Sequence, residues 1–133
     1  MHKENSQVAV FKTISSPFDY QNQKRLLLER QALKHPNLMN IIDFAILESN
    51  ETETKTSLIY EGWNMDLEED VYSRQQQQPE PVFFEEKELF HVMYGAIQGL
   101  NNLHQANLVH GDIKPNNIAY IDSTTHMDIK LVD

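Results

Sequence analysis

The 133-residue sequence predicts an α+β fold, and three observations lead to this expectation. Residues 6–14, 38–47 and 56–62 are short segments rich in β-branched residues, which is typical of strands. Residues 84–105 repeat apolar positions at the spacing of an amphipathic helix. The predicted order is strand, helix, strands, then helix and short strands, and this order favours an α+β architecture.

The N-terminal half begins with the strand "SQVAVFKTI", which places Lys12 on one face and Phe11 on the other because side chains alternate along a strand. Residues 15–37 predict a helix, with Ser16 as its N-cap, Pro17 in its first turn and "HPN" as its stop. The polar, aperiodic segment "ESNETETK" predicts a hairpin loop between the next two strands.

The middle of the chain predicts a short helix at residues 66–73, followed by a low-complexity connector, "RQQQQPEPV". The long helix over residues 84–105 has glutamates near its start, where the helix dipole favours anions. Its predicted core stripe consists of Leu89, Met93, Ala96, Ile97, Leu100 and Leu103. Gly95 and Gly99 lie inside this helix at helical spacing, so they indicate close packing and not a phosphate loop.

The last part of the chain predicts three short strands. The segment "NLVHGD" indicates a short strand and a loop, and "NIAYI" and "MDIKLVD" indicate two more strands. We find no internal repeat in the sequence.

Composition excludes several classes of protein. The net charge is −9, from 20 acidic and 11 basic residues, which disfavours a nucleic-acid partner. The sequence has no cysteine, so disulfides, thiolate zinc sites and cysteine nucleophiles are excluded. No segment is long and apolar enough to cross a membrane or to act as a signal peptide, so we expect an intracellular, cytoplasmic protein.

The segment "LVHGDIKPNN" places a carboxylate, a lysine and an amide within six residues, at Asp112, Lys114 and Asn117. One interpretation is a surface turn around Pro115, because Asp, Asn and Pro are common turn residues. The other is a loop that handles phosphate and metal, because carboxylate and amide oxygens suit Mg²⁺. The residues alone leave both interpretations open.

The segments "VAVFK", "HPNLMNIIDF", "LIYEGWNMDL", "GLNNLHQANLVHGDIKPNN" and "IKLVD" occur in the order seen in eukaryotic protein kinases. The resemblance spans nearly the whole chain. The lysine in "DIKPNN" resembles serine/threonine kinases more than tyrosine kinases. It implies a two-lobe, protein-kinase-like fold that is incomplete. Residues 1–62 would form part of the N-lobe, and residues 63–133 the hinge and the start of the C-lobe.

The resemblance also implies roles for individual residues, with ATP and Mg²⁺ as cofactors and a protein serine or threonine as the phosphate acceptor. Asp112 would accept or orient the proton of the substrate hydroxyl, and Lys114 would lie beside the transferring phosphoryl group. Asn117 and Asp133 would ligate magnesium. Lys12 would pair with the α/β-phosphates. The side chains of Lys12, Asp112, Asn117 and Asp133 would then converge on one cleft between the lobes.

Further residues would hold the nucleotide. Tyr60 would be the gatekeeper beside the adenine, the backbone groups of Glu61 and Trp63 would face the base, and Asp66 would reach the ribose. The alternative interpretation of this segment is a strand that ends at Gly62, with Trp63 buried for packing. Glu29 is the nearest candidate to pair with Lys12, but it lies three residues beyond the family's register, near Leu26, and an ordinary surface charge is the alternative.

Other departures from the family pattern bear on activity. None of the four glycines precedes Lys12, so the family's glycine-rich loop is missing from this sequence, and the sequence stops at the Asp of the Asp-Phe-Gly motif. We therefore expect a fragment or a degenerate relative, with low stability and negligible phosphotransfer. Gly111 stands where many kinases have arginine, and it predicts that a longer form needs no activation-loop phosphate. Two alternatives stay open, namely a non-catalytic, pseudokinase-like binding module and a small-molecule phosphotransferase.

Overall fold

The computed structural model describes residues 10–122 and 127–132, which form two compact units. Unit 1 comprises residues 10–34 and 40–62, and unit 2 comprises residues 35–39, 63–122 and 127–132. Both helices and antiparallel strands are present, so the predicted α+β fold class is confirmed.

The core of unit 1 is a three-stranded antiparallel sheet in the order β1–β3–β2, built from β1 (Val10–Ser16), β2 (Ile41–Ser49) and β3 (Thr54–Tyr60). Lys12 pairs with the buried Leu58, and the predicted alternation along β1 is confirmed, because Lys12 is half-buried while Phe11 is exposed. The start of this predicted strand, residues 6–9, lies outside the described residues.

Helix α1 (Tyr20–Ala32) packs against β2 in unit 1. The predicted N-cap, Ser16, was wrong, because β1 continues through Ser16. The side chain of Asp19 caps the helix by accepting a hydrogen bond from the backbone N–H of Asn22, at 2.8 Å. An aspartate makes as good a cap as serine, so cap preference alone did not distinguish the two positions.

The predicted hairpin between β2 and β3 is confirmed, although its loop is shorter than expected. The strands extend to Ser49 and from Thr54, which leaves residues 50–53 to form the turn. The Asn50 side chain accepts hydrogen bonds from the backbone N–H groups of Thr52 and Glu53, both at 2.9 Å. Such local bonds replace the strand ladder and account for the sharp reversal.

Unit 2 contains a second three-stranded antiparallel sheet, in the order β4 (Met65–Asp66), β5 (Ile118–Asp122) and β6 (Met127–Leu131). Residues 35–39 join this sheet, and Leu38 forms a parallel bridge with Leu131. The two-residue strand β4 was not predicted, since it is too short to show a period. Leu38, Ile129 and Leu131 are buried and form part of the core of the unit.

Helix α2 (Leu67–Gln75) confirms the short predicted helix but includes the first two residues of the predicted connector, 74–82. Residues 76–82 are exposed and confirm the rest of the connector. The segment "NLVHGD" forms no strand; Asn107 has a φ of 60° there, and Gly111 a φ of 78°. These left-handed conformations bend the chain away from an extended path, so the predicted strand was wrong. No helix among the described residues is long and apolar enough to cross a membrane.

Helix α3 (Glu86–Gln105) confirms the long predicted helix but buries a different face from the one expected. Ala96 and Leu103 are buried as predicted, whereas Leu89, Met93 and Ile97 are exposed. The buried side of the helix consists of Val92, Gly95, Ala96, Gly99 and Leu103.

The two glycines explain this choice of face, because they let β6 approach the helix closely. A Cβ atom at Gly95 would lie 2.6 Å from the Cβ of Ile129, and one at Gly99 would lie 2.5 Å from the carbonyl oxygen of Asn37. The predicted close packing is therefore present, and its partners are β6 and the backbone of Asn37.

Candidate active site

The segment from His110 to Asn117 forms an irregular loop between α3 and β5, within unit 2. Its chain path depends on Gly111, whose φ of 78° favours a residue without a Cβ. Pro115 then begins a single 3₁₀ turn, Pro115–Asn117, which leads directly into β5. The proline suits the first position of such a turn because its φ is already restricted.

His110 ties this loop to the end of β6. Its Nε2 atom lies 2.7 Å from the carbonyl oxygen of Val132, and its Nδ1 atom accepts a hydrogen bond from the backbone N–H of Asp112, at 3.1 Å. Because Nδ1 accepts, the donating proton is on Nε2. His110 therefore holds the loop through two hydrogen bonds.

Asn117 is fully buried and links Asp112 and Lys114 of the loop to Val132, which follows β6. Its side-chain amide donates to the backbone oxygen of Asp112 at 2.9 Å and lies 3.2 Å from the Oδ2 atom of Asp112. Its backbone N–H donates to the carbonyl of Lys114 at 2.9 Å, and its carbonyl accepts from the N–H of Val132 at 2.8 Å. A buried amide with these partners fixes the loop more firmly than a solvated turn residue would.

Lys114 and Asp112 complete the cluster. The Nζ atom of Lys114 lies 3.3 Å from the Oδ2 atom of Asp112, and both side chains are about half exposed. Asp112, Lys114 and Asn117 are therefore brought together, because the Lys114 ammonium and the Asn117 amide both contact the Oδ2 atom of the exposed Asp112 carboxylate.

The predicted hinge residues fall in both units. Tyr60 ends β3 and is fully buried. The backbone N–H of Glu61 donates to the carbonyl of Asn40 at 3.2 Å, and the Glu61 side chain accepts from the Asn40 amide at 2.9 Å. Lys34 donates in turn to the Asn40 side chain. The Glu61 N–H is thus used within unit 1.

Trp63 and Asp66 belong to unit 2, and Trp63 is half-buried. Asp66 pairs with Ala119 of β5 and also caps α2, because its Oδ1 atom accepts from the backbone N–H of Glu69 at 2.8 Å. Burial and this neighbouring carboxylate both raise the pKa of Glu69 above its ordinary value.

Lys12 and Glu29 lie in unit 1, on β1 and α1 respectively. The buried residues of α1 are Gln23, Leu27 and Arg30, whereas Glu29 is exposed. The pairing of Glu29 with Lys12 stays a prediction, and so does the shared cleft of Lys12 with Asp112.

The predicted metal ligands are Asn117 and Asp133, and an amide oxygen together with a carboxylate oxygen is a donor set that suits Mg²⁺. The second predicted ligand, Asp133, lies outside the described residues, although Val132 immediately before it is fully buried and bonded to the loop. Within residues 10–122 and 127–132, no three His, Asp or Glu side chains are grouped so that they could hold a metal ion.

Sequence reasoning missed a polar network in unit 2, which we call the Tyr120 network and which consists of Tyr120, Asp70, Arg74 and Glu88. The Tyr120 hydroxyl donates to Asp70 at 2.9 Å, and the Nε atom of Arg74 lies 2.9 Å from the other Asp70 oxygen. Arg74 also binds Glu88 through both terminal nitrogens, at 2.5 and 3.3 Å. The i,i+4 spacing of Asp70 and Arg74 was the available signal.

The electrostatics of this network follow from burial and charge pairing. Burial raises the pKa of the Tyr120 phenol well above its ordinary value, and the hydrogen bond to Asp70 adds to the shift. The hydrogen bond to Glu88 raises the pKa of the Arg74 guanidinium, and the same bond lowers the pKa of the Glu88 carboxyl. The guanidinium also lies 4.0 Å from the ring centre of Phe84, a cation–π contact.

The network borders a cavity of about 200 Å³ in unit 2. Met65, Phe84, Val92 and Ile129 form apolar parts of its wall, and His91 lies at the same cavity.

Comparison with known proteins gives a match to the protein kinase domain family over residues 1–133. Mitogen-activated protein kinase 13 of Arabidopsis thaliana is 29% identical over 133 residues, which cover 97% of this chain and 34% of the relative. Extracellular signal-regulated kinase 1 of Dictyostelium discoideum is 32% identical over 111 residues, which cover 80% of this chain and 20% of the relative. The chain spans about a third or less of the length of these two relatives.

The family match and the fold agree with each other. The loop that carries the family's most specific motif is assembled around Asn117, and an antiparallel sheet with a packed helix precedes it in the chain. Because the match covers every residue of the sequence, this chain belongs to the protein kinase domain family.

Proposed function

We propose that this chain derives from, and retains the central site of, an enzyme that transfers the γ-phosphoryl group of ATP to serine or threonine hydroxyls of protein substrates. The observation that carries the proposal is the position of Asp112, whose carboxylate is exposed while the side chains of Asn117 and Lys114 both contact its Oδ2 atom. A general base must be both oriented and open to its substrate, and this arrangement meets both needs.

In the proposed reaction, Asp112 orients the substrate hydroxyl and accepts its proton. The hydroxyl oxygen then bonds to the γ-phosphorus as the bond to the bridging oxygen of ADP breaks. Lys114, 3.3 Å from the Asp112 carboxylate, supplies positive charge beside the group in transfer. A lysine two residues after the aspartate supports a serine or threonine acceptor, by resemblance to that class of kinase.

Asn117 and Asp133 are the proposed magnesium ligands. Bound Mg²⁺ would neutralise charge on the phosphates. The contribution of the protein is positional. The side-chain amide nitrogen of Asn117 is directed at Asp112, and the backbone carbonyl of Asn117 accepts from the N–H of Val132, next to Asp133. These bonds support the assignment of both residues to one site.

We further propose that residues 1–62 and 63–133 correspond to N-lobe and C-lobe segments of a kinase domain. Lys12 would contact the α/β-phosphates, and Tyr60 would lie beside the adenine. The Glu61 carbonyl and the backbone of Trp63 would bind the base, with Asp66 at the ribose. Because the Glu61 N–H already bonds to Asn40, an acceptor at Glu61 suits the adenine amino group.

A titration of the 133-residue chain with ATP and Mg²⁺ tests the proposal. We expect saturable binding that Lys12→Met weakens by about tenfold, the effect of losing one strong charge-assisted contact. Glu51→Gln, in the exposed β2–β3 turn, is the matched charge control and leaves the affinity unchanged. Any phosphate transfer to a protein substrate disappears in Asp112→Asn. Absence of saturable binding, or binding that Lys12→Met leaves unchanged, contradicts the proposed site.

A second candidate function is a non-catalytic binding module that holds nucleotide without transferring phosphate. Glu29 is exposed on α1. Phosphoryl transfer in the family requires a Lys–Glu ion pair, so this second function is the one expected if Glu29 does not pair with Lys12. Tight Mg²⁺-dependent ATP binding without turnover, unaffected by Glu29→Gln, would support this function over the first.

A further inference from the structure

The Tyr120 network connects the strand that follows Asn117 with both helices of unit 2. Tyr120 lies on β5, three residues after Asn117, and its hydroxyl reaches Asp70 in α2. Asp70 also accepts a hydrogen bond from Arg74, one turn further along the same helix, and Arg74 binds Glu88 in the first turn of α3.

The same short stretch of β5 also holds the residue proposed to contact the ribose. Asp66 pairs with Ala119, Met65 pairs with Tyr120, and the backbone N–H of Asn64 donates to the carbonyl of Tyr120 at 3.0 Å. Asp66 then begins α2 as its N-cap. The β4–β5 pairing is only two residues long, so the backbone alone holds the start of α2 weakly in register with β5.

We propose that the Tyr120 network is a positioning unit that locks α2 to β5 and thereby sets the placement of Asp66 relative to the loop residue Asn117. Tyr120 and Asp70 would act through these residues and not touch nucleotide or metal. The proposal rests on the nucleotide and metal roles proposed above for Asp66 and Asn117, and it deepens them.

The geometry of Asp70 gives the physical reason. Both of its carboxylate oxygens are engaged, one by the Tyr120 hydroxyl and one by Arg74, and its side chain is 13% exposed. A buried carboxylate is costly unless its oxygens are hydrogen-bonded. Any displacement of α2 along β5 would break the bond to Tyr120, so the network resists that movement.

Arg74 extends the restraint beyond α2. Its guanidinium binds both oxygens of Glu88 and the carbonyl of Phe83, at 3.3 Å. Glu88 in turn accepts from the backbone N–H of Glu85, at 3.0 Å, in the capping box of α3. Each carboxylate oxygen of Asp70 and of Glu88 has a hydrogen-bond partner. The same charged groups that hold α2 therefore also hold the start of α3.

Tyr120→Phe tests the proposal, because it removes one hydroxyl and keeps the ring that fills the core. Tyr94→Phe is the matched control, since Tyr94 is an exposed tyrosine on α3. The first measurement is amide hydrogen exchange at Asn117 and Val132, whose N–H groups donate to Lys114 and Asn117 in the loop. The second is the dissociation constant for ATP with Mg²⁺.

We expect Tyr120→Phe to speed exchange at the Asn117 and Val132 amides by about tenfold, the effect of losing a hydrogen bond to a charged group. Exchange in the β1–β3 ladder of unit 1 should stay unchanged. The dissociation constant for ATP with Mg²⁺ should rise by about three- to tenfold on the same basis. Tyr94→Phe should change none of these values.

Unchanged exchange at Asn117 and Val132 in Tyr120→Phe would overturn the proposal. Equal acceleration at all amides, including those of unit 1, would also overturn it, because the network would then serve only general stability. If the unmodified chain shows no ATP binding, the proposed function fails, while the exchange data still decide the role of the network.

A double-mutant cycle with Asp70→Asn provides a second, independent measurement. The asparagine oxygen can still accept from Tyr120, but the charge that pairs with Arg74 is lost. If the two residues act as one unit, the double variant exchanges no faster than about twice the rate of the more affected single variant. Multiplicative effects of the two substitutions would show independent actions and contradict the proposal.

Discussion

The Nε2 atom of His110 donates a hydrogen bond to the carbonyl oxygen of Val132 across 2.7 Å. Val132 is fully buried, so this donor satisfies a carbonyl that water does not reach. The same ring accepts the backbone N–H of Asp112. One side chain thus holds together the loop that carries the proposed base and the segment that leads to the proposed metal ligand.

We therefore predict that His110→Ala lowers the free energy of unfolding by about 1–3 kcal/mol, since it leaves a buried carbonyl without a donor. Urea denaturation followed by circular dichroism measures this value. His104→Ala, at an exposed position in the last turn of α3, is the control and should have a much smaller effect. Equal effects of the two substitutions would contradict the assigned role.

Asn117 and its neighbour Asn116 provide a matched pair. Asn117 is fully buried with its amide bonded to Asp112, whereas Asn116 is exposed. We expect Asn117→Ala to destabilise the protein by about 1–3 kcal/mol because it leaves the loop groups unpaired. Asn116→Ala should change stability by less than about 0.5 kcal/mol. The reverse order of the two effects in thermal or urea unfolding would disprove the burial-based prediction.

At Gly99 the backbone of Asn37 comes very close to α3. The Cβ atom of an alanine at this position would lie 2.5 Å from the carbonyl oxygen of Asn37, which is backbone and cannot rotate away. Gly99→Ala should therefore cost about 1–3 kcal/mol of unfolding free energy, although alanine is the better helix former. The control is Asn101→Ala, on the exposed side of the same helix. A stabilising Gly99→Ala would show that the contact with residue 37 relaxes freely.

Asp66 has a structural role that can be separated from its proposed role at the ribose. Asp66→Ser keeps a capping oxygen for α2, whereas Asp66→Ala removes it at a cost of about 1 kcal/mol. Both substitutions remove the carboxylate, so both should weaken ATP binding, while only the alanine variant should lose stability. Normal ATP affinity in Asp66→Ser would exclude contact between the carboxylate and the nucleotide.

The ion pair of Glu88 with Arg74 predicts a pH dependence of stability. Arg74 lowers the pKa of Glu88 in the folded state below its ordinary value of 4.5. The folded state therefore binds the proton less readily than the unfolded state, and this contribution is present above pH 4.5 and is lost as the pH falls through the lowered pKa. Because Glu88 is partly exposed, solvent screening reduces the effect.

Urea midpoints measured between neutral pH and pH 3 test this dependence. The unmodified protein should lose more stability on acidification than Glu88→Gln does. Glu86→Gln, an exposed glutamate in the same turn of α3, should behave like the unmodified protein. Identical acid profiles for Glu88→Gln and Glu86→Gln would refute the ion-pair contribution.

Local patterns predicted much of this fold. The strand alternation around Lys12, the long helix and the polar hairpin loop each follow from residue type and spacing over a few residues. The cluster of Asp112, Lys114 and Asn117 was also foreseeable, because its members are close in sequence and match a known motif.

The wrong or missed features depend on contacts between distant residues. The period of α3 was clear, but Leu89 and Ile97 were assigned to the core, whereas Gly95 and Gly99 lie on its buried face. Glycine adds no hydrophobic signal, and its value here comes from the approach of Ile129, over thirty residues away. The bond between Tyr120 and Asp70 spans fifty residues and has no local sequence signature.

Residues 35–39 have a consequence for how this protein can be divided. They lie in the chain between two parts of unit 1, yet Asn37 bonds to the backbone of Ile129 and Leu131 in unit 2, at 2.8 and 2.9 Å. A polypeptide cut to residues 63–133 would keep the whole loop around Asp112 but lose the Asn37 backbone, which packs on Gly99 and accepts from the N–H of Leu131. Adding the short peptide "HPNLM" in trans should then restore part of the protection of that polypeptide against amide hydrogen exchange, in the manner of fragment complementation.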